Sequence, residues 1–319
     1  MNELRKKILA DINIYPNELN RIISTAPHRY KVFFIRKRNS EELRRVAQPA
    51  HELKILQLWL IDHIKNLLPI HDCAVAYRTG ISIKQNALMH SNKRYVLKMD
   101  FQNFFPSIKQ VDLELHLAKH FNGNLDLEDV SDITRLTLWA PPEKSARQLC
   151  IGAPSSPFLS NSILFDFDNL VHNYCIAKNV TYSRYADDLV FSTNEANVLV
   201  DIEGYIHNAI KIIQYPKLIV NTKKTIHTSK GRGIIVTGVV ITQTADLSLG
   251  RDRKRMIRAS IDYFIKSKLS YNEIAKLNGL LAFAQDIEPT FIERMKTKFG
   301  KDILFKIRKY LAENFAHKQ

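Results

Sequence analysis

The sequence predicts an α+β fold of the split βαβ kind. Three observations carry that expectation. A β-like run over residues 95–100 ends on a carboxylate, Asp100. Two more short β-like runs within residues 180–193 meet at the tetrapeptide Tyr185-Ala186-Asp187-Asp188. Helical periodicity fills the stretches around them, so strand and helix alternate about two carboxylate-bearing strands. At 319 residues, 45% of them hydrophobic, the chain can bury a sizeable core.

The elements follow in order. Over residues 2–25, Leu4, Ile8 and Ile12 recur at helical spacing and Pro16 interrupts them, which predicts two short helices. The period then changes: residues 30–35 read as a strand, 36–42 as a charged turn and 43–47 as the return strand, a hairpin crowded with Arg36, Lys37, Arg38, Arg44 and Arg45. Pro49 ends it. Residues 52–68 place Leu53, Leu56, Leu60, Ile64 and Leu67 on one helical face, and residues 86–92 read as a further helical piece. Residues 104–107 are a break leading into a helix over 111–120, residues 158–178 a single apolar helix, and 201–213 another helix. Residues 234–241 are β-branched and flanked by glycines, hence a strand or hairpin. After Gly250 the composition turns helical and basic, with 16 Lys and Arg against 8 Asp and Glu over 251–319, a net of +8.

The whole chain carries a formal charge of +15, which favours an anionic partner, nucleic acid or an acidic membrane surface, without choosing between them. Three cysteines, Cys73, Cys150 and Cys175, form no CxxC pair and no even set. Buried free thiols are expected rather than a disulfide framework or structural zinc. The first ten residues hold three basic side chains but no apolar stretch with a cleavage site, and the apolar run over 55–61 is too short to span a bilayer. A cytoplasmic protein without membrane association is expected.

Two adjacent aspartates in a tight hairpin repel one another and call for a cation. A third carboxylate ending a neighbouring strand completes a site for hard, oxygen-seeking ions. Two Mg²⁺ ions about 4 Å apart there would activate a 3′-hydroxyl and stabilise a departing pyrophosphate. An Asp-Asp pair alone is more often a solvated turn, so the decision rests on the motifs around it.

Those motifs are Leu97-Lys98-Met99-Asp100-Phe101-Gln102-Asn103-Phe104-Phe105, Gly152-Ala153-Pro154-Ser155-Ser156-Pro157, the Tyr185 to Asp188 tetrapeptide, and Leu218-Ile219-Val220-Asn221-Thr222-Lys223-Lys224-Thr225. In this order they resemble the reverse transcriptase family, over nearly the whole chain. The resemblance implies a right-hand polymerase: fingers over residues 1–96, a split βαβ (ferredoxin-like) palm over 97–249 with interleaved fingers segments, and a helical thumb over 250–319. It implies RNA-directed DNA polymerase activity on dNTPs, with Asp100, Asp187, Asp188 and the Phe101 carbonyl holding two Mg²⁺ ions and Lys224 protonating the pyrophosphate. Phe105 lies beneath the incoming sugar and excludes a 2′-hydroxyl. Ala153 approaches the nucleotide, and Pro154 and Ser155 the template. Lys37, Arg44 and Arg45 clamp the triphosphate, a task suited to the arginine fork, and Arg78 and Lys84 are further basic candidates. One departure is Leu149-Cys150-Ile151 where the family commonly has Leu-Pro-Gln, so Ile151 lacks the amide that would bond near the sugar.

Asn86-Ala87-Leu88-Met89-His90 fits the Asn-Ala-x-x-His signature of the retron branch, and Val236-Thr237-Gly238 its Val-Thr-Gly signature. That branch implies a cognate structured non-coding RNA as template, met by Asn86, His90, Val236, Thr237 and Gly238 and by the basic start of the thumb, Arg251, Arg253, Lys254 and Arg255. It further implies priming from a guanosine 2′-hydroxyl, a DNA product that can stay joined to the RNA, template removal by a host ribonuclease H, and antiphage defence with an accessory effector protein. The residues after Lys224 show no second set of four carboxylates of the RNase H type, and no maturase or HNH-like extension is expected. A group II intron-like or other bacterial reverse transcriptase, and a non-catalytic RNA-binding scaffold, remain the alternatives.

Overall fold

The computed structural model describes residues 2–36, 41–121, 125–143 and 146–314. The chain opens on α1 (Glu3–Asp11) and α2 (Pro16–Thr25). Asn2 caps the first by accepting from the Arg5 amide, and Pro16 begins the second at its first turn, where its missing N–H has no partner to lose. The basic hairpin is β1 (Tyr30–Arg36) and β2 (Leu43–Pro49), antiparallel, with Tyr30 opposite Pro49 and Arg36 opposite Leu43. Its tip, with Lys37 and Arg38, lies outside the described residues. Then come α3 (His51–Ile64), which buries Leu53, Leu56, Leu60 and Ile64, and α4 (Ile83–Ser91), which starts on a capping box between Ser82 and Gln85.

β3 (Tyr95–Asp100) is followed by a one-turn helix, α5 (Phe104–Ser107), where a break is expected. Asn103 enters it at φ 47°, a left-handed conformation that asparagine tolerates well. Next are α6 (Gln110–Phe121) and α7 (Leu127–Thr137), the second of which the sequence reading does not anticipate. The expected helix over 158–178 is two, α8 (Ser155–Ile163) and α9 (Phe165–Ala177), parted at Leu164. Ser160, Asn161 and Ser162 stand just before the break, with the Ser160 hydroxyl bonded to the Pro157 carbonyl and the Asn161 amide to that of Ala76. Such side chains compete with helical backbone bonds.

The hairpin that bears the Tyr185 to Asp188 tetrapeptide is β4 (Thr181–Tyr185) and β5 (Asp188–Thr193). After it come α10 (Val198–Ile212), β6 (Ile226–Ser229), β7 (Ile234–Val236), β8 (Val239–Ile241) and β9 (Leu247–Ser248). The basic tail is α11 (Arg251–Ile265), α12 (Tyr271–Ile287), α13 (Pro289–Phe299) and α14 (Ile303–Glu313). Among the described residues the strands form three sheets, in the orders β1-β2, β4-β5-β3-β6 and β7-β8-β9.

The chain divides into two compact units. The first comprises Met1–Thr79, Leu97–Phe191 and Ala196–Ile226. In it α7 packs on α1, α2 and α3. Its Asp132 accepts from Arg5 Nε and Nη2 at 2.7 and 2.8 Å and from the Asn2 amide at 2.8 Å, tying the start of the chain down. The second comprises Gly80–Val96, Ser192–Glu195 and His227–Gln319. There α4 lies on β7, β8 and β9, and α12 packs against α11, α13 and α14. All three cysteines are free and buried, and among the described residues no helix is long and apolar enough to cross a membrane.

Candidate active site

The site grows from backbone bonds. β3 buries Val96, Leu97 and Met99 and delivers Asp100 at its end, 6% exposed. The next amide, of Phe101, donates to the Asp187 carbonyl at 3.1 Å. The Asn221 amide donates to the Asp100 carbonyl at 2.7 Å, and the Gln102 amide to that of Ile219 at 2.8 Å. The end of β3 is thereby stitched to the β4–β5 turn on one side and to residues 219–221 on the other. Asp100, Asp187 and Lys224 meet because their main chains are bonded together.

Only Ala186 and Asp187 separate β4 from β5. Ala186 has φ 58°, a left-handed conformation that costs a residue with a Cβ about 1–2 kcal/mol. Asp187 is held above the usual carboxylate range by burial and by the charge of Asp100. Burial, Asp187 and Asp100, in that order, push Asp188 up to about 6. Lys224 Nζ sits on both oxygens of Asp100, at 3.0 and 2.9 Å, and the Asn221 side-chain amide reaches Oδ1 at 3.3 Å. Burial pulls the Lys224 ammonium down, but the bond to Asp100 and its charge outweigh that and raise it.

Hard carboxylate oxygens suit a divalent cation such as Mg²⁺ or Ca²⁺. Among the described residues no three His, Cys, Asp or Glu side chains form a ready-made metal cage. Lys224 supplies a counter-charge at Asp100, while Asp187 and Asp188 are raised by burial first and then by neighbouring carboxylates, Asp100 for the former and Asp187 and Asp100 for the latter, a cost that a bound cation offsets. The donor set therefore fits a metal.

A cavity of about 1010 Å³ opens at these groups, lined by Asp100, Asp187, Asn221 and Lys224 on one side and by Phe34, Arg44, Arg45, Tyr77 and Phe105 among others. Arg44 is near enough for its charge to lower the Asp187 carboxyl. Arg45 is drawn to Glu143 at 2.6 Å and lies over the Trp139 ring at 5.2 Å. Phe101 turns its ring into the core against Phe104 and Phe167, leaving only main chain for the site. Ile151 lines the cavity as an apolar side chain, and Gln148 lines it too, its Oε1 accepting from Lys109 Nζ.

Other expected site residues lie elsewhere. The Ala153 methyl is buried in a cluster with Ala47, Trp139 and Cys150 and does not line the cavity. Ser155 is wholly buried at the start of α8, whereas Pro154 is half-buried. Asn86, His90 and Val236 are each 0% exposed, so none presents its side chain to an RNA in this conformation. His90 Nδ1 instead pairs with the Ser192 hydroxyl at 2.7 Å. Thr237 and Gly238 make the two-residue turn between β7 and β8, at φ 45° and 81°. The Thr237 hydroxyl donates to the Ile83 carbonyl at 3.4 Å, so the two short signatures form one packed piece. Arg253 and Lys254 are likewise committed within the protein, to the Gly238 carbonyl and to Glu288, while Arg251 and Arg255 are exposed.

Sequence reasoning singled out neither Tyr77, at φ 61° on the cavity wall, nor Asn221, Lys109 and Gln148 as site residues. Asn221 had a signal, its place inside the motif that carries Lys224. The others come from segments without a motif, and only the fold brings them in.

Comparison with known proteins bears on the family and the fold. The family described as "Reverse transcriptase (RNA-dependent DNA polymerase)" matches residues 35–241. The retron Ec83 reverse transcriptase of Escherichia coli is 39% identical over 289 residues, 88% of this chain and 90% of that protein. The retron Ec73 reverse transcriptase of Escherichia coli is 32% identical, over 82% of this chain and 84% of its own. Among solved structures, apo telomerase from Candida tropicalis superposes with a TM-score of 0.54 at 12% identity, over 90% of this chain and 57% of the telomerase chain. That likeness bears out the right-hand polymerase fold expected from the sequence.

Proposed function

We propose, for a chain that belongs to the reverse transcriptase family and within it to the retron RNA-directed DNA polymerases, that Asp100, Asp187 and Asp188 hold two Mg²⁺ ions for nucleotidyl transfer. The observation that carries this reading is the junction of β3 with the β4–β5 turn, where three carboxylates from two motifs share one electrostatic field. When bound, the ions lower the pKa of the attacking hydroxyl and offset the charge of the departing pyrophosphate. Lys224, already drawn to the site, is the group that protonates that leaving group. Arg44 and Arg45 on the cavity wall meet the triphosphate, and Phe105 excludes the ribose 2′-hydroxyl. Residues 1–96 act as fingers, 97–249 as palm and 250–319 as thumb.

The substrate in this reading is a cognate structured RNA, copied in part into single-stranded DNA from an RNA 2′-hydroxyl primer. A host ribonuclease H removes the template, and the product serves antiphage defence with an accessory effector. The likeness to retron enzymes supports these steps.

Primer extension on an RNA template with Mg²⁺ tests the chemistry: wild type extends, and the double change Asp187→Asn/Asp188→Asn abolishes extension. Extension surviving the double change would overturn the carboxylate assignment. Sequencing of copurified nucleic acid tests the substrate. One abundant small RNA covalently joined to DNA is expected; bulk cellular RNA alone would refute it.

A further inference from the structure

Beneath the β4–β5 turn lies a charged pair that the chemistry above does not use. Arg184 and Asp168 are both 0% exposed. Arg184 grips Asp168 through Nε, at 2.8 Å to Oδ1, and through Nη2, at 2.5 Å to Oδ2. The Tyr182 hydroxyl adds a third donor to the same carboxylate at 2.9 Å. With its remaining nitrogen, Nη1, Arg184 donates to Asn161 Oδ1 and to the Ala186 carbonyl, each at 3.1 Å. Its backbone is fixed as well, the amide donating to the Cys73 carbonyl at 2.7 Å and the carbonyl accepting from Val75 at 2.9 Å.

Stability alone is a poor account of such a pair. Removing two charges from water is costly, and uncharged replacements of similar shape are often neutral or stabilising. What distinguishes Arg184 is the carbonyl it holds. Ala186 sits in the left-handed region, a conformation that persists only where its surroundings enforce it. The following carbonyl, of Asp187, is held by the Phe101 amide. The turn is thus pinned at two successive carbonyls, one held by the residue that follows β3 and one by the buried arginine.

We infer that Arg184, locked by Asp168, is a positioning residue that sets the Ala186 turn and through it the spacing of the Asp187 and Asp188 carboxylates for metal. The inference rests on the metal-site reading above. It is tested by Mn²⁺ binding to the full chain, followed by electron paramagnetic resonance of the free ion, beside thermal unfolding. The variants are R184M/D168N, which removes both charges at near-constant shape, R184K, which keeps the charge and loses the fork, and D187N as the control for the site. Wild type binds Mn²⁺ and D187N loses it, while R184M/D168N melts cooperatively with Mn²⁺ affinity about 10–100-fold weaker, the range typical of groups that orient metal ligands. R184K is weakened in the same direction. Wild-type affinity in R184M/D168N would overturn the positioning role and leave the carboxylate site standing. If R184M/D168N does not fold, unchanged affinity in R184K overturns it equally. If wild type and D187N bind Mn²⁺ alike, the carboxylate reading itself fails and the positioning role falls with it.

Discussion

Phe105 shows how a side chain gains meaning from its neighbours. In the sequence it is one of three phenylalanines within five residues, Phe101, Phe104 and Phe105. In the structure Phe101 and Phe104 are buried, while Phe105 is half-buried and lines the cavity that Asp100 also lines. A bulky ring on the cavity wall discriminates by excluded volume, and one such wall is worth about 1–3 kcal/mol. Phe105→Ala is therefore expected to raise incorporation of ribonucleotides relative to deoxyribonucleotides by roughly 10–200-fold, with extension on dNTPs retained. Competing dNTP and rNTP extension on one template measures it; an unchanged ratio would remove Phe105 from the sugar site. The aspartates were legible in the sequence through the ordered motifs around them, since an Asp-Asp pair alone reads as a solvated turn. Arg184 was not, since an arginine at the end of a β-like run reads as surface until Asp168, Tyr182 and Asn161 are seen around it.

The elements that carry the site follow hydrophobic pattern closely: β3 has the residues expected, and the β4–β5 hairpin turns at the tetrapeptide. Elements without a strong pattern were harder. α7 has Val130, Ile133 and Leu136 as its apolar spacing but also buries Asp129 and Asp132, whose partners Leu4 and Arg5 lie more than a hundred residues away. No local window contains that partnership. The loop before α8 poses a similar case, since Gly152 matters for what approaches it. Its φ is +114°, and a Cβ there would stand 2.9 Å from the Ala47 carbonyl oxygen and 3.0 Å from Val46 Cγ1. The Ala47 amide bonds to the Ile151 carbonyl at 2.8 Å, so this loop is laced directly onto β2. Gly152→Ala adds backbone strain to overpacking and is expected to destabilise the protein by about 2–4 kcal/mol. Urea unfolding measures the loss. Gly204→Ala is the control, a glycine within α10 with nothing within 4 Å of its Cβ position, and it is expected to be neutral or stabilising. Equal effects of the two would show that β2 and the loop do not need the close approach.

A net charge of +15 implies attraction to a polyanion wherever the cations are free to act. The basic start of α11 shows that they are not all free. Arg253 donates to the Gly238 carbonyl at 3.1 Å and lies over the Phe283 ring at 4.9 Å. Lys254 reaches Glu288 at 2.7 Å, and Glu288 also accepts from the Ser248 hydroxyl and the Leu249 amide. These two cations hold α11 against the β7–β8 turn and the start of α13. Arg251 and Arg255 on the same helix are exposed. The four therefore separate by consequence. R251A/R255A is expected to keep its melting temperature, weaken RNA binding and make the plot of log affinity against log salt shallower by about 1 for each phosphate no longer neutralised. R253A/K254A is expected to lose about 1–3 kcal/mol of stability, because it removes the Lys254 charge from the half-buried Glu288 carboxylate and strips the Arg253 guanidinium from the half-buried Phe283 ring. Its salt slope should change less than that of R251A/R255A. Fluorescence anisotropy on one structured RNA at several salt concentrations, beside urea melts of the free proteins, separates the pairs. Equal salt slopes for the two double variants would mean that the internal bonds of Arg253 and Lys254 yield to RNA, and that the exposed pair has no privileged part in binding it.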